Sequence, residues 1–137
     1  MSGWRTRRAV RLALDELDLV DRTVAIAVTR VSEASRSRGT AEARSTRVQF
    51  STRLPGAIDA YRTAFERLDS LGATPDIAQM CPRYRDARAH AGAALTRLDD
   101  PHLTIHDALE SLDALHPHFV DVLASYREAL HDYAQGG

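Results

Sequence analysis

The chain contains no lysine: all 18 of its basic residues are arginine. Schiff-base and lysine-base mechanisms are therefore excluded, because both need an amine. The arginine and alanine bias fits a GC-rich genome. Selection against lysine modification is the functional alternative. The one cysteine, Cys81, cannot form an intrachain disulfide, which suits a reducing cytoplasm. Glycines sit singly or at the terminus, so there is no phosphate-cradling loop. No H-E-x-x-H and no paired C-x-x-C occurs. No apolar run approaches the ~20 residues of a membrane span. The basic start meets Asp15 and Glu16 too early to be a signal peptide. A net charge of −1 gives no global pull toward nucleic acid or an anionic membrane. No catalytic motif and no cofactor is implied.

What is present is ordinary for a globular chain: 44% apolar and 27% charged residues. A length of 137 residues fits one helical domain over 1–137. Such a chain buries roughly two-thirds of its unfolded surface without a metal or disulfide.

The periodicity is helical almost throughout. In the first helix, from about Trp4 to Ser35, Val10, Leu14, Leu17, Val24, Val28 and Val31 follow a 3–4 spacing. A second row, Leu12, Leu19 and Ile26, repeats every seven residues. Two rows predict a wide apolar face lying against at least two neighbours. Residues 32–46 read as a mobile polar connection, with a helix able to begin near Thr40. Val48, Phe50, Thr52 and Leu54 alternate like a strand, but no partner strand is evident, so 46–54 is taken as helical. Ile58, Tyr61, Phe65, Leu68 and Leu71 form the next stripe, ended by Gly72. Thr74-Pro75-Asp76 has the form of a helix start. Tyr84, Ala87, Ala91, Ala94, Leu95 and Leu98 line an alanine-rich helix. Thr104 and Asp107 resemble a capping box for the last one. There Ile105, Leu109, Leu112, His116, Phe119, Leu123, Tyr126, Leu130 and Tyr133 hold an unbroken 4–3 spacing. The expectation is an all-α, antiparallel four-helix bundle running up-down-up-down. Pro55, Pro82 and Pro117 are the positions at which a helix is kinked or split.

Two groups of residues are candidates for function. The first is the N-terminal cluster Trp4, Arg5, Arg7, Arg8 and Arg11. Cations at a helix start oppose the dipole, which points to an acidic partner inside or outside the protein. The acid-rich stretch that follows offers local pairing, and Trp4 is of a type enriched at interface hot spots. The second group centres on His116. It takes a seam position with Asp113 one turn before it as a hydrogen-bond acceptor. His118 falls about 200° further round and faces away. Asp113 with His116, and Asp86 with His90, are the two pairs from which a ligand or metal site would be built. His102, His106 and Glu110 form a zinc-like series only if the helix starts at Pro101.

The leading reading is a non-enzymatic protein-interaction domain in the cytoplasm: an adaptor, an inhibitor or immunity-type binder, or a self-associating scaffold. A homo-oligomer through the long last helix is part of it. The alternative is a small-ligand- or metal-binding bundle using His116 and Asp113 in an internal cavity. The third is a DNA-associated regulator working through the arginines, although the domain as a whole is not basic. Replacing Trp4→Ala, Arg7→Glu and Arg8→Glu together is expected to reduce partner recovery in a pull-down. Equal recovery removes that surface.

Overall fold

The computed structural model describes residues 3 to 69 and 81 to 136, with side chains from 7 to 68 and 81 to 135. Leu71, Gly72 and the helix start at Thr74-Pro75-Asp76 lie outside the described residues. The described part is helical with no strand: α1 (Gly3–Ala34), α2 (Ala41–Ser45), α3 (Leu54–Asp69), α4 (Pro82–Arg97) and α5 (Ile105–Gly136).

Side-chain ties give the helix directions. Arg53 on the approach to α3 meets Glu33 at the end of α1, 3.1 Å apart, so these helices run antiparallel. Arg62 of α3 pairs with Asp99 just beyond α4, and Phe65 lies against Gly92. Arg83 at the start of α4 reaches Asp121 and Glu128 in the second half of α5. Arg127 of α5 reaches back to Asp18 and Asp21 of α1, while Arg38 beyond α1 meets Asp113. The four long helices thus alternate in direction around one core.

α5 supplies the widest face to that core. Leu109, Leu112, Phe119, Leu123, Tyr126 and Leu130 are buried, as the 4–3 spacing predicts. A second row beside them, Ala108, Leu115 and Val122, is buried too. Between them Ser125 is buried with its hydroxyl donating to the Asp121 carbonyl at 2.7 Å. Pro117 lies inside one continuous helix. From Leu109 to Leu130 the chain's own helices thus cover most of the seam that offered itself to a second copy, with His116 half-buried within it; at its end Tyr133 is exposed.

α1 departs from expectation. Val10, Leu17 and Val24 are buried, and so are Ala13, Val20 and Ala27, the row beside them. The row Leu12, Leu19 and Ile26 is not covered; its residues are 56%, 41% and 52% exposed. It lies about 100° round the helix from the Ala13–Val20–Ala27 row. α3 and α5 pack on the two inner rows, and small alanines let them come close enough to fill that side. Among the described residues no third neighbour covers the outer row.

The connection after α1 is built from specific turns. A 3₁₀ turn at Ser35–Ser37 leads to Gly39, whose φ of 85° is open to glycine at no steric cost. Thr40 then caps α2, its hydroxyl accepting from the Ala43 N–H at 3.1 Å. Of the residues 46–54 expected to be helical, only Leu54 is, as the first residue of α3; 46–53 are not. They hold one 3₁₀ turn, Val48–Phe50, between extended residues. The start of the segment makes one isolated antiparallel bridge, Arg47 to Thr104, with the loop before α5: Val48 N–H donates to Leu103 O at 3.0 Å and Ile105 N–H to Thr46 O at 2.9 Å.

Two of the three prolines begin helices and divide none. Ser51 Oγ accepts from the N–H groups of Arg53 and Leu54, both at 3.2 Å, and Pro55 follows in the first turn of α3. Pro82 likewise opens α4. At these positions the missing N–H costs nothing and the fixed φ suits the helix. Gly56 leaves room for Arg30 of α1, since a Cβ there would stand 2.7 Å from Arg30 Nη1.

Urea unfolding separates the two faces. Phe119→Ala, fully buried, is expected to lower stability by about 3–5 kcal/mol. Leu19→Ala on the outer row is expected to change it by no more than about 0.5 kcal/mol.

Candidate functional site

The N-terminal cluster stands at the start of α1, and the side chains of Trp4 and Arg5 lie outside the described residues. Arg7, Arg8 and Arg11 are exposed or nearly so, with no ion pair among the described residues. For these three, no local pairing with the acids that follow is seen among the described residues. Asp18 and Asp21 instead take the guanidinium of Arg127, 3.1 Å from Asp18 and closer to Asp21. The fold uses those acids to tie α1 to α5.

His116 is half-buried between helices. Its Nδ1 lies 2.8 Å from the hydroxyl of Tyr61 on α3, a fully buried residue. Asp113 does not accept from the imidazole as expected; it pairs with Arg38 at 2.6 Å. The reason is direction: Arg38, in the turn after α1, offers a full charge to an exposed carboxylate. The buried phenol offers His116 a partner on the core side. Burial pushes the Tyr61 phenol up to about 12, with the Asp113 carboxylate adding to the shift. The phenol thus keeps its proton and can donate to Nδ1, which leaves the neutral imidazole's hydrogen on Nε2. His116 borders a groove of about 660 Å³ between α1 and α5, lined by Val24, Val28, Val120 and Leu123 with the Asp21–Arg127 pair at one end. No carboxylate bonds the imidazole among the described residues, so no acid–histidine–hydroxyl relay forms here.

The other pair is not joined to this one. Asp86 and His90 are both exposed on α4. His90 stacks on His118 with ring centroids 5.1 Å apart and an angle of 21° between planes. His118, expected to face solvent, is half-buried in this contact because α4 crosses α5 at that height. Thr104 caps α5, accepting from the Asp107 N–H at 3.2 Å, so His102 lies outside the helix and the spaced-histidine zinc series is lost. The ligand atoms of His106, Asp107 and Glu110 do fall within 4.8 Å of one another. Asp107 and Glu110 are exposed, and all three residues lie in the opening turns of α5, where acids complement the dipole.

The outer row of α1 is the surface that the sequence reading misplaced. The seven-residue spacing was legible; the missing signal was that alanines, not leucines, mark the packed side. Arg8, exposed one turn before Leu12, continues the same face. Asp15 and Arg22 flank Leu19 on one side, both exposed and unpaired among the described residues. Glu16 and Thr23 flank it on the other, half-buried.

No protein-family model, no curated protein and no solved structure matches this chain. No described helix is long and apolar enough to cross a membrane.

Tyr61→Phe is expected to cost about 1 kcal/mol by leaving His116 Nδ1 without its partner. The pH dependence has a definite sign. The unfolded chain ionises this phenol near 10.0 and the folded chain near 12. Stability from neutral Tyr61 is complete below the first value and is lost as pH rises through the second. Alkaline denaturation should lose this component in Tyr61→Phe, and ultraviolet titration should lose the tyrosine that ionises near 12.

Proposed function

We propose that this chain is a non-enzymatic helical protein-interaction module of the cytoplasm, and that its contact surface is the outer face of α1. One observation carries the reading. Leu12, Leu19 and Ile26 repeat every seven residues along a helix of 32 residues, each left 41–56% exposed by the fold. Singly exposed aliphatics are unremarkable, whereas an aligned row on a straight element offers a partner helix a continuous seam. Each side chain is large enough to anchor a contact, and charged residues line the row as a polar rim.

The polar groups that suggested chemistry support the same reading by how they are engaged. His116 is held by Tyr61, Asp113 by Arg38, and His90 by His118. Each of these contacts joins one helix or turn to another. The arginine cluster, including Arg8, belongs to the proposed surface as its basic end, where an acidic partner group relieves the charge placed against the dipole.

A photo-reactive residue at position 19, in protein expressed at its native level, is expected to give a discrete cross-linked protein. The same residue at position 86, on the exposed side of α4, is expected to give none. Absence of an adduct at 19, or equal adducts at both positions, would falsify the reading.

A further inference from the structure

The geometry points to a second copy of this chain as the occupant of the α1 face, bound antiparallel about a two-fold axis at Leu19. This inference rests on the reading of α1 as the contact surface. The row is symmetric about its middle: Leu12 and Ile26 each stand seven residues from Leu19. Two copies laid antiparallel place Leu19 on Leu19 and Leu12 on Ile26, so the apolar row covers itself from end to end.

Charge decides the direction. On a regular helix Asp15 and Arg22 lie about 40° and 60° from Leu19 in one rotational sense, and Glu16 and Thr23 about 60° and 40° in the other. One flank thus holds an acid below the centre and a base above it. In an antiparallel pair each flank meets the same flank of the second copy. Asp15 then faces Arg22 of the second copy, and the symmetry makes this pair twice. In a parallel pair each flank meets the opposite flank. Asp15 then faces Glu16 of the second copy, again twice, and like charges oppose one another. Opposite charge across a seam fixes register and direction more than it adds affinity. Asp15 and Arg22 are both exposed and unpaired among the described residues, so both are available.

The row spans about 20 Å of helix. An interface of that extent falls at the small end of specific contacts. The association is therefore weak and set by concentration.

Sedimentation equilibrium of the full chain from micromolar to millimolar concentration tests this. The chain is expected to pass from monomer to dimer, and Leu19→Glu to remain monomeric. Asp15→Arg and Arg22→Asp, each turning two attractions into two repulsions, are expected to lower the association constant by about tenfold or more. The double variant Asp15→Arg/Arg22→Asp restores opposite charges and is expected to return to within about threefold of the unaltered chain. Three outcomes overturn the proposal: a monomer at every concentration, a dimer indifferent to Leu19→Glu, or a double variant no better than the single ones. A monomer that still cross-links another protein at position 19 overturns the second copy alone and leaves the α1 contact surface standing.

Discussion

Burial of two adjacent rows on α5 is the constraint around which the rest of the molecule closes. Leu109, Leu112, Phe119, Leu123, Tyr126 and Leu130 form one row, and Ala108, Leu115 and Val122 the other. A helix with so wide an apolar face cannot be covered by one neighbour. α4 closes on one side of it, with Tyr84 edge-on to Tyr126 at 5.0 Å. α1 closes on the other, and α3 meets it across the core, with Tyr61 edge-on to Phe119 at 5.7 Å. The Tyr61–His116 bond is the polar counterpart of this aromatic contact, and it fixes α3 against α5 beside Pro117. A proline inside a helix frees a carbonyl and loosens the local ladder. A buried hydrogen bond next to it holds the segment to one position.

The same packing explains why α1 is left with an unused face. Its inner rows alternate valine and leucine with alanine, so α3 and α5 lie close and meet the core from both sides. Ion pairs then pin its length: Glu33 to Arg53 at one end, Asp18 and Asp21 to Arg127 further back. Exposed pairs of this kind add little stability singly, but they select orientation. With α1 held in this way, Leu12, Leu19 and Ile26 are presented on a rigid element. A contact surface on a packed helix loses less conformational entropy on binding than one on a loop. In the proposed pair, the Asp15 and Arg22 flank supplies direction to a seam that three aliphatics alone would leave ambiguous.

The helical class, the extents of α1 and α5, the Thr40 and Thr104 caps and the continuous passage through Pro117 could all be read from the residues. Each depends on local physics: period, capping and turn chemistry. What escaped was tertiary. The Val48 to Leu54 alternation formed no strand; the segment's one antiparallel bridge, from Arg47 to Thr104, lies more than fifty residues away in a loop of no obvious pattern. Pro55 read as a break because Ser51 was not recognised as closing the helix start before it. His116 was assigned to Asp113, its neighbour in sequence, and found Tyr61, its neighbour in space. The outer row of α1 was assigned to the core because leucine outranks alanine in any hydrophobic count. Packing distance reverses that ranking where two helices must approach closely.

The proposed self-association places a second copy on the outer face of α1 and leaves the wide face of α5 inside the bundle. Backbone amide spectra recorded during serial dilution of the full chain report this residue by residue. Concentration-dependent shifts are expected to be confined to α1, strongest from Leu12 to Ile26, with the amides of α4 and of residues 105 to 130 unmoved. Shifts centred on α5, or spectra unchanged across the whole dilution series, would contradict that proposal.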